Sequence, residues 1–160
     1  MMQRGLIQKI IKATNMENCN KNWMTVVAVA LGSDPEGAPM TKNWSYPSIV
    51  RMMLYLSTNM CPDITFAVSQ VARFNHAPKQ SHATAVNTIV RYLAGTADKG
   101  MIVKSTKTSD INAYVDADFA GLHGSKEPQN PASAKSRTGW ITFLSDCPLI
   151  WRSQLFRNIH

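Results

Sequence analysis

The chain has 160 residues, 44% of them apolar, so it is large enough for one ordinary domain or two small ones, and wholesale disorder is excluded. Its 17 basic and 10 acidic residues give a net charge of +7, which favours an anionic partner such as nucleic acid, although no run of Lys and Arg marks a basic tail. The N-terminal MMQRGLIQKIIKA lacks the apolar core of a secretory signal, and the longest apolar run, VVAVAL, is far too short to cross a bilayer. We therefore expect an intracellular protein of the cytoplasm or nucleus, without a membrane partner.

Helical periodicity dominates the first two thirds of the chain. GLIQKIIKATNM has the apolar spacing of a helix, and MTVVAVAL predicts a short strand before a loop from Gly32 to about Asn43. Three further helices are predicted at SYPSIVRMMLYLSTN, PDITFAVSQVARF and SHATAVNTIVRYLAG, each with its aliphatic residues on one face. Pro62 fits a first helical position, Ser81 is the expected N-cap of the last helix, and Gly95 is its expected C-cap.

The periodicity changes after Gly95. GMIVK, INAYVDA, RTGWITFL and PLIWRS predict strands, the last two joined by the short SDC turn, and residues 121–136 predict a loop rich in Gly, Pro, Ser and Asn. The order predicts an α+β protein in which helices are followed by an antiparallel meander of three to four strands.

Two carboxylates at the end of INAYVDAD are the candidate metal ligands. Ile111, Ala113 and Val115 alternate with polar residues, so Asp116 lies on the face opposite this aliphatic set, and Asp118 shares its face if the strand continues. Carboxylates are the ligands that hard divalent cations prefer. From the residues alone two interpretations stay open: a divalent metal site, or a strand that ends in a solvated turn.

Four blocks of the chain resemble, in order, the Pol polyproteins of copia-type retrotransposons. SYPSIVRMMLYLSTNMCPDITFAVSQVARF resembles their Y-x-S…L-x-Y-L…PDI-x-F-A-V segment, and HATAVNTIVRYLAGTADKGMIV resembles the RYL-x-GT block that follows. AYVDADFAG resembles the D-A-D-W/F-A-G that opens their ribonuclease H domain, and KSRTGWITFLSDCPLIWRSQ resembles the block ending in W-K/R-S-K/Q. The insertion GLHGSKEPQNPASAKS is most similar to copia-type elements of diatoms and related algae.

This resemblance implies that the chain has three parts, and it implies the reaction that the parent family catalyses. Residues 1–43 correspond to the end of the polymerase and the entry to its thumb, 44–96 to a helical connection, and 97–160 to the start of a ribonuclease H-like domain. In that domain Asp116 matches the first metal-binding carboxylate, and Asp118 is either an auxiliary ligand or a strand-end residue. Mg²⁺ is the family's cofactor for hydrolysing RNA in an RNA–DNA hybrid.

The chain also departs from the family pattern. The E-A-E-Y-like helix that follows W-K/R-S-K/Q in the family is not found after IWRSQ, nor are the paired polymerase aspartates found upstream. We therefore expect a Pol fragment without polymerase or nuclease activity of its own, in which Mg²⁺ is not stably bound and Asp116 is vestigial. Weak nucleic-acid binding is the activity that remains, with Arg91, Lys135, Arg137 and Arg152 as candidate phosphate contacts.

Two alternatives stay open. The open sheet could be completed by another chain, either the remainder of a Pol polyprotein or a second copy, which makes the protein a binding or assembly module. Hydrolysis of the hybrid could also survive through an unmatched acid such as Glu127.

The remaining chemistry-bearing residues have structural interpretations. The three cysteines are expected as reduced thiols without zinc spacing, and the four histidines as exposed or helix-capping residues. The four tryptophans are expected in core or interface packing.

Overall fold

A computed structural model of the protein describes residues 3–24, 31–101, 110–118 and 136–155, apart from the side chain of Asp118. The chain divides into two compact units, Met1–Met101 and Ile102–His160, and each is described by itself. The strands predicted at VVAVAL and GMIVK fall largely outside the described residues.

The first unit is helical. Helix α1 spans Arg4–Ala13, α2 spans Tyr46–Asn59, a 3₁₀ turn at Pro62–Ile64 leads into α3 at Thr65–Ala72, and α4 spans Gln80–Thr96. Helix α1 packs against α2 and α4, and α3 packs against the same two helices. Within the described residues no helix is long and apolar enough to cross a membrane.

The predicted apolar faces of these helices form one core. Ile7, Ile10, Ile49, Met53, Leu56, Ile64, Val68, Val71, Val86, Ile89, Val90 and Leu93 are buried within it. Each helix supplies residues at three- and four-residue spacing, which is the spacing that places side chains on one helical face. Burying aliphatic side chains of this size contributes about 1.5–3 kcal/mol each, so this face holds the four helices together.

The predicted caps of α4 were wrong, although its extent was close. The helix begins at Gln80 with Lys79 as N-cap, and it continues through Gly95 to Thr96. Ser81 lies in the first turn, where its hydroxyl donates to the Asp34 carboxylate. Gly95 is required for a different reason than a C-cap: a Cβ built on it would lie 2.8 Å from the backbone oxygen of Asn22.

The loop before α2 is fastened to the start of α4 by buried His82. The backbone N–H of Lys79 donates to His82 Nδ1 at 2.9 Å, so the ring proton is on Nε2, which donates to the Gly32 carbonyl at 2.9 Å. The ring also stacks on Phe74, with 3.9 Å between ring centroids. The expected capping role of the histidines is thus met at His82, which is fully buried and not exposed.

The second unit contains an antiparallel sheet in the order β1-β2-β3, with β1 at Ile111–Asp118, β2 at Arg137–Leu144 and β3 at Cys147–Leu155. A two-residue turn joins β2 to β3, and Ser145 adopts a positive φ of 54° there. The β2–β3 register shifts between Thr142 and Phe143, and this shift leaves Leu149 as an extra residue beside Pro148. An irregularity of this kind accommodates proline, which cannot donate to the ladder. The predicted α+β organisation, with helices followed by an antiparallel sheet, is confirmed.

Candidate functional site

The register of the three strands assigns every described sheet residue to one of two faces. Directly paired residues share a face, and neighbours along a strand alternate. We call the face that carries Asp116 the acid face; it also carries Tyr114, Arg137, Gly139, Ile141, Phe143, Trp151 and Ser153. We call the other the aliphatic face; it carries Ile111, Ala113, Val115, Trp140, Ile150 and Arg152.

Asp116 is exposed and lies near the end of β1. Its partner on β2 is Gly139, which pairs in turn with Ser153 on β3, so no bulky side chain stands beside the carboxylate across this row. Arg137 lies two residues along β2 on the same face, and its Nη1 donates to the Ser153 hydroxyl at 3.3 Å. The diagonal separation of such positions is about 7–8 Å, which an arginine side chain can span. The acid face therefore brings a carboxylate, a guanidinium and a hydroxyl together.

The second predicted metal ligand, Asp118, is placed by its backbone alone. It pairs with Arg137 at the end of the β1–β2 ladder, two residues beyond Asp116, so the two aspartates occupy positions on the same face. In the ranges that the structure describes, no group of three or more His, Cys, Asp or Glu side chains could hold a metal ion.

The two predicted phosphate-contacting residues of the described sheet lie on opposite faces. Arg137 lies on the acid face, and Arg152 pairs with Trp140 on the aliphatic face. Lys135 lies outside the described residues. Arg91 belongs to α4 in the helical unit.

Arg91 holds the segment that follows α1. Its Nε donates to the Asn20 carbonyl at 2.7 Å, and its own carbonyl accepts from the backbone N–H of Asn22 at 3.1 Å. Gly95 lies one turn further along α4, where the Asn22 backbone makes its close approach. Arg91 and Gly95 therefore form the docking position for residues 20–22, and Arg91 orders a backbone segment whatever else it contacts.

A basic surface beside this docking position was missed at the level of sequence. We define it as Arg4, Lys9 and Lys12 of α1, Lys21 and Lys99, together with Trp23. All six side chains are exposed. Lys9 and Lys12 are three residues apart and so are neighbours on the surface of α1, which is the signal that could have predicted it.

Contacts involve several members of this basic surface. Arg4 pairs with Asp98, and the bond and charge of Arg4, together with the charge of Lys21, hold the pKa of the Asp98 carboxyl below its ordinary value. Lys99 lies over the Trp23 ring at 5.0 Å from its centroid. Trp23 is 65% exposed, in contrast to its expected place in packing, whereas Trp44 and Trp151 are buried as expected.

Comparison with known proteins finds Pol polyproteins of transposons and also proteins with other names. The chain is 31% identical over 159 residues, 99% of its length, to the Retrovirus-related Pol polyprotein from transposon RE1 of Arabidopsis thaliana. It is 29% identical over 164 aligned residues to the corresponding protein from transposon RE2 of the same plant. It is also 30% identical over 118 residues to the Secreted RxLR effector protein 161 of Plasmopara viticola, covering 74% of this chain and 78% of that protein.

The chain spans only 10% of the length of the two Pol polyproteins. No protein-family profile matches it, and no solved structure matches it significantly. The Pol similarity nevertheless runs through both units, from the helices to the sheet that carries Asp116. The chain belongs to the family of Pol polyproteins from copia-type retrotransposons.

Proposed function

We propose that the chain is the part of a Pol polyprotein that leads from the polymerase thumb, through connecting helices, into the first strands of a ribonuclease H-like domain, and that by itself it binds nucleic acid without cleaving it. The observation that carries this proposal is the similarity to the RE1 Pol polyprotein over 99% of the chain. The order of elements supports it, because four helices precede an antiparallel sheet whose first strand ends in the Asp116 motif.

Binding is proposed to rest on phosphate contacts. The net charge of +7 and the exposed basic side chains supply the attraction, which is independent of base sequence and weakens as salt rises. On the acid face Arg137 is the contact we propose for the hybrid backbone, since its guanidinium lies beside the Ser153 hydroxyl and both can donate to phosphate oxygens.

Cleavage is proposed to need carboxylates beyond Asp116. Hydrolysis by two metal ions requires several acidic ligands around a pair of ions about 4 Å apart. The described face of Asp116 offers one further acid, Asp118 at the end of β1, and its other neighbours there are Tyr114, Gly139 and Arg137, of which the arginine opposes cation binding. Mg²⁺ also gives up its water reluctantly, so two carboxylates are too few to hold the pair of ions that hydrolysis needs.

The test is fluorescence anisotropy of a labelled RNA–DNA hybrid titrated with the full chain at several salt concentrations, with cleavage followed on a gel in Mg²⁺ or Mn²⁺. We expect the chain to bind the hybrid more weakly as salt rises and to leave it uncleaved. We also expect Arg137→Ala to bind the hybrid more weakly than the wild type does. Turnover that Asp116→Ala abolishes refutes the non-cleaving part of the proposal. Absence of binding at low salt refutes the rest.

A second candidate function, assembly with another polypeptide, is favoured by the exposure of the aliphatic face. Ile111, Val115 and Ile150 are 70%, 71% and 58% exposed. Covering three such side chains contributes about 5 kcal/mol in total. Association itself costs about 4–15 kcal/mol, so this face needs added strand pairing to hold a partner, and we rank assembly second. Size-exclusion chromatography decides: a monomer at all concentrations that binds no apolar dye excludes self-assembly.

A further inference from the structure

We infer that the basic surface of the helical unit is a binding site for single-stranded nucleic acid, in which α1 and residues 20–23 contact the phosphates and Trp23 stacks on a base. This inference rests on the proposed nucleic-acid binding but assigns it to a different surface from the acid face of the sheet. It follows from three features of the described residues: uncompensated positive charge, an exposed aromatic ring among the charges, and a segment held rigidly in place.

The charge of this surface is poorly compensated. Within the part of the chain that the structure describes, Arg4 is the basic residue of this surface that has an ion-pair partner, Asp98. Lys9 and Lys12 have no ion-pair partner there and no acidic residue lies on α1, whereas Lys21 acts on Asp98 through its charge. Helix α1 has 10 residues, so it is about 15 Å long, a length over which several phosphates of one strand can be contacted.

Trp23 explains why a single strand is the preferred ligand. A large indole ring that is 65% exposed costs free energy in water, and at this position it lies beside Lys99. Basic grooves with interspersed aromatic rings bind unpaired strands because every base offers a face for stacking. In a duplex the bases are already stacked on each other, so no base face is available for the Trp23 ring to stack on.

The segment that carries Lys21 and Trp23 is held in place before any ligand binds. Arg91 bonds to it on both sides of Lys21, and Gly95 allows its backbone to lie directly against α4. Order in the free protein lowers the entropy lost on binding. Arg91 is therefore assigned as a positioning residue for this surface.

The experiment measures binding of the full-length chain to a labelled oligo(dT) of about 12 nucleotides by anisotropy over a range of salt concentrations. Lys9→Ala combined with Lys12→Ala is compared with Lys42→Ala combined with Arg51→Ala, which removes the same charge from exposed positions elsewhere on the helical unit. Removing two phosphate contacts from a single strand lowers the magnitude of the slope of log K against log salt by about 1.4. We expect this change in the first pair and not in the second.

Trp23→Ala and Trp23→Phe separate stacking from charge. Trp23→Ala is expected to weaken oligo(dT) binding about ten-fold while the slope of log K against log salt stays unchanged. Trp23→Phe, which keeps an aromatic ring, is expected to retain most of the wild-type affinity. Binding of a hybrid duplex through Arg137 is expected to be unchanged in both. Arg91→Ala is expected to weaken oligo(dT) binding, and Arg91→Lys to restore little, because lysine cannot reproduce the Nε bond geometry.

The outcomes separate this inference from the proposed function. If the wild-type chain binds neither oligo(dT) nor hybrid, the proposed function fails. If it binds both but the α1 and Trp23 variants bind oligo(dT) as the wild type does, the proposed function stands and this inference is overturned. The inference is also overturned if polyglutamate displaces oligo(dT) equally well from the wild type and from Trp23→Ala. The surface would then bind any acidic polymer, whether or not it carries bases.

Discussion

Two alanine substitutions of helical glycines are expected to change stability in opposite directions. Gly5 is the second residue of α1, and a Cβ built on it meets nothing within 4 Å. Gly95 is the last residue but one of α4, and a Cβ built there lies 2.8 Å from the Asn22 oxygen and 3.5 Å from Lys21 Cβ. The substitution is chemically identical at the two sites, so any difference arises from their surroundings.

The size of each effect follows from two terms. Replacing glycine by alanine within a helix stabilises by about 0.5–1 kcal/mol, because the unfolded chain loses freedom. At Gly5 this is the whole effect. At Gly95 the added methyl group meets the carbonyl of Asn22, whose backbone N–H donates to the Arg91 carbonyl, and overpacking of this kind costs about 1–3 kcal/mol. We therefore expect Gly5→Ala to raise the free energy of unfolding and Gly95→Ala to lower it by about 1 kcal/mol net.

Urea unfolding followed by far-UV circular dichroism measures both changes, provided that the slope m stays constant across the variants. Gly95→Ala should also weaken oligo(dT) binding, because residues 20–23 must move away from α4. If Gly95→Ala instead stabilised the protein as much as Gly5→Ala does, the close approach of Asn22 to Gly95 would be absent in solution. The argument that the segment carrying Trp23 is ordered would then lose its support.

The remaining predictions concern buried or partly buried groups of the helical unit. Tyr46 donates to the Val71 carbonyl at 2.8 Å, so Tyr46→Phe should cost about 1 kcal/mol at neutral pH. Burial raises the pKa of Tyr46, so the wild type should lose stability as pH rises above about 10, where the unfolded tyrosine ionises, and Tyr46→Phe should lose less in urea titrations over that range. Burial, with the charge of Asp63 as a second cause, raises the pKa of Cys61 to about 11, so mass spectrometry should show slow alkylation by iodoacetamide at pH 8, and Asp63→Asn should speed it. His82→Phe should destabilise by about 2–4 kcal/mol in urea, because two backbone groups lose their partners, and stability within 0.5 kcal/mol of wild type would contradict the observed bonds.

The helices were predictable from sequence because their apolar spacing coincides with burial. Ile49, Met53 and Leu56 face the core as their spacing requires, and the three strands follow the alternation and turn signals of their sequences. These features depend on residues that are close together in the chain.

The errors concern contacts between residues far apart in the chain. Gly95 carries the ordinary local signal of a helix end. Its role is instead set by the backbone of Asn22, a residue more than seventy positions earlier in the chain, which lies against it. Arg137 and Arg152 looked equivalent as basic residues, and only the register of β2 against β3 places them on opposite faces. The exposure of Trp23 likewise depends on how residues 20–22 dock on α4, which no local pattern encodes.

One measurement tests the central claim most directly: a labelled RNA–DNA hybrid is incubated with the full-length chain in Mg²⁺ or Mn²⁺, and binding and cleavage are recorded in the same samples. We predict a salt-sensitive complex whose hybrid remains intact, identical in the wild type and Asp116→Ala. Cleavage by the wild type that Asp116→Ala removes, or the absence of a complex at low salt, would contradict the claim.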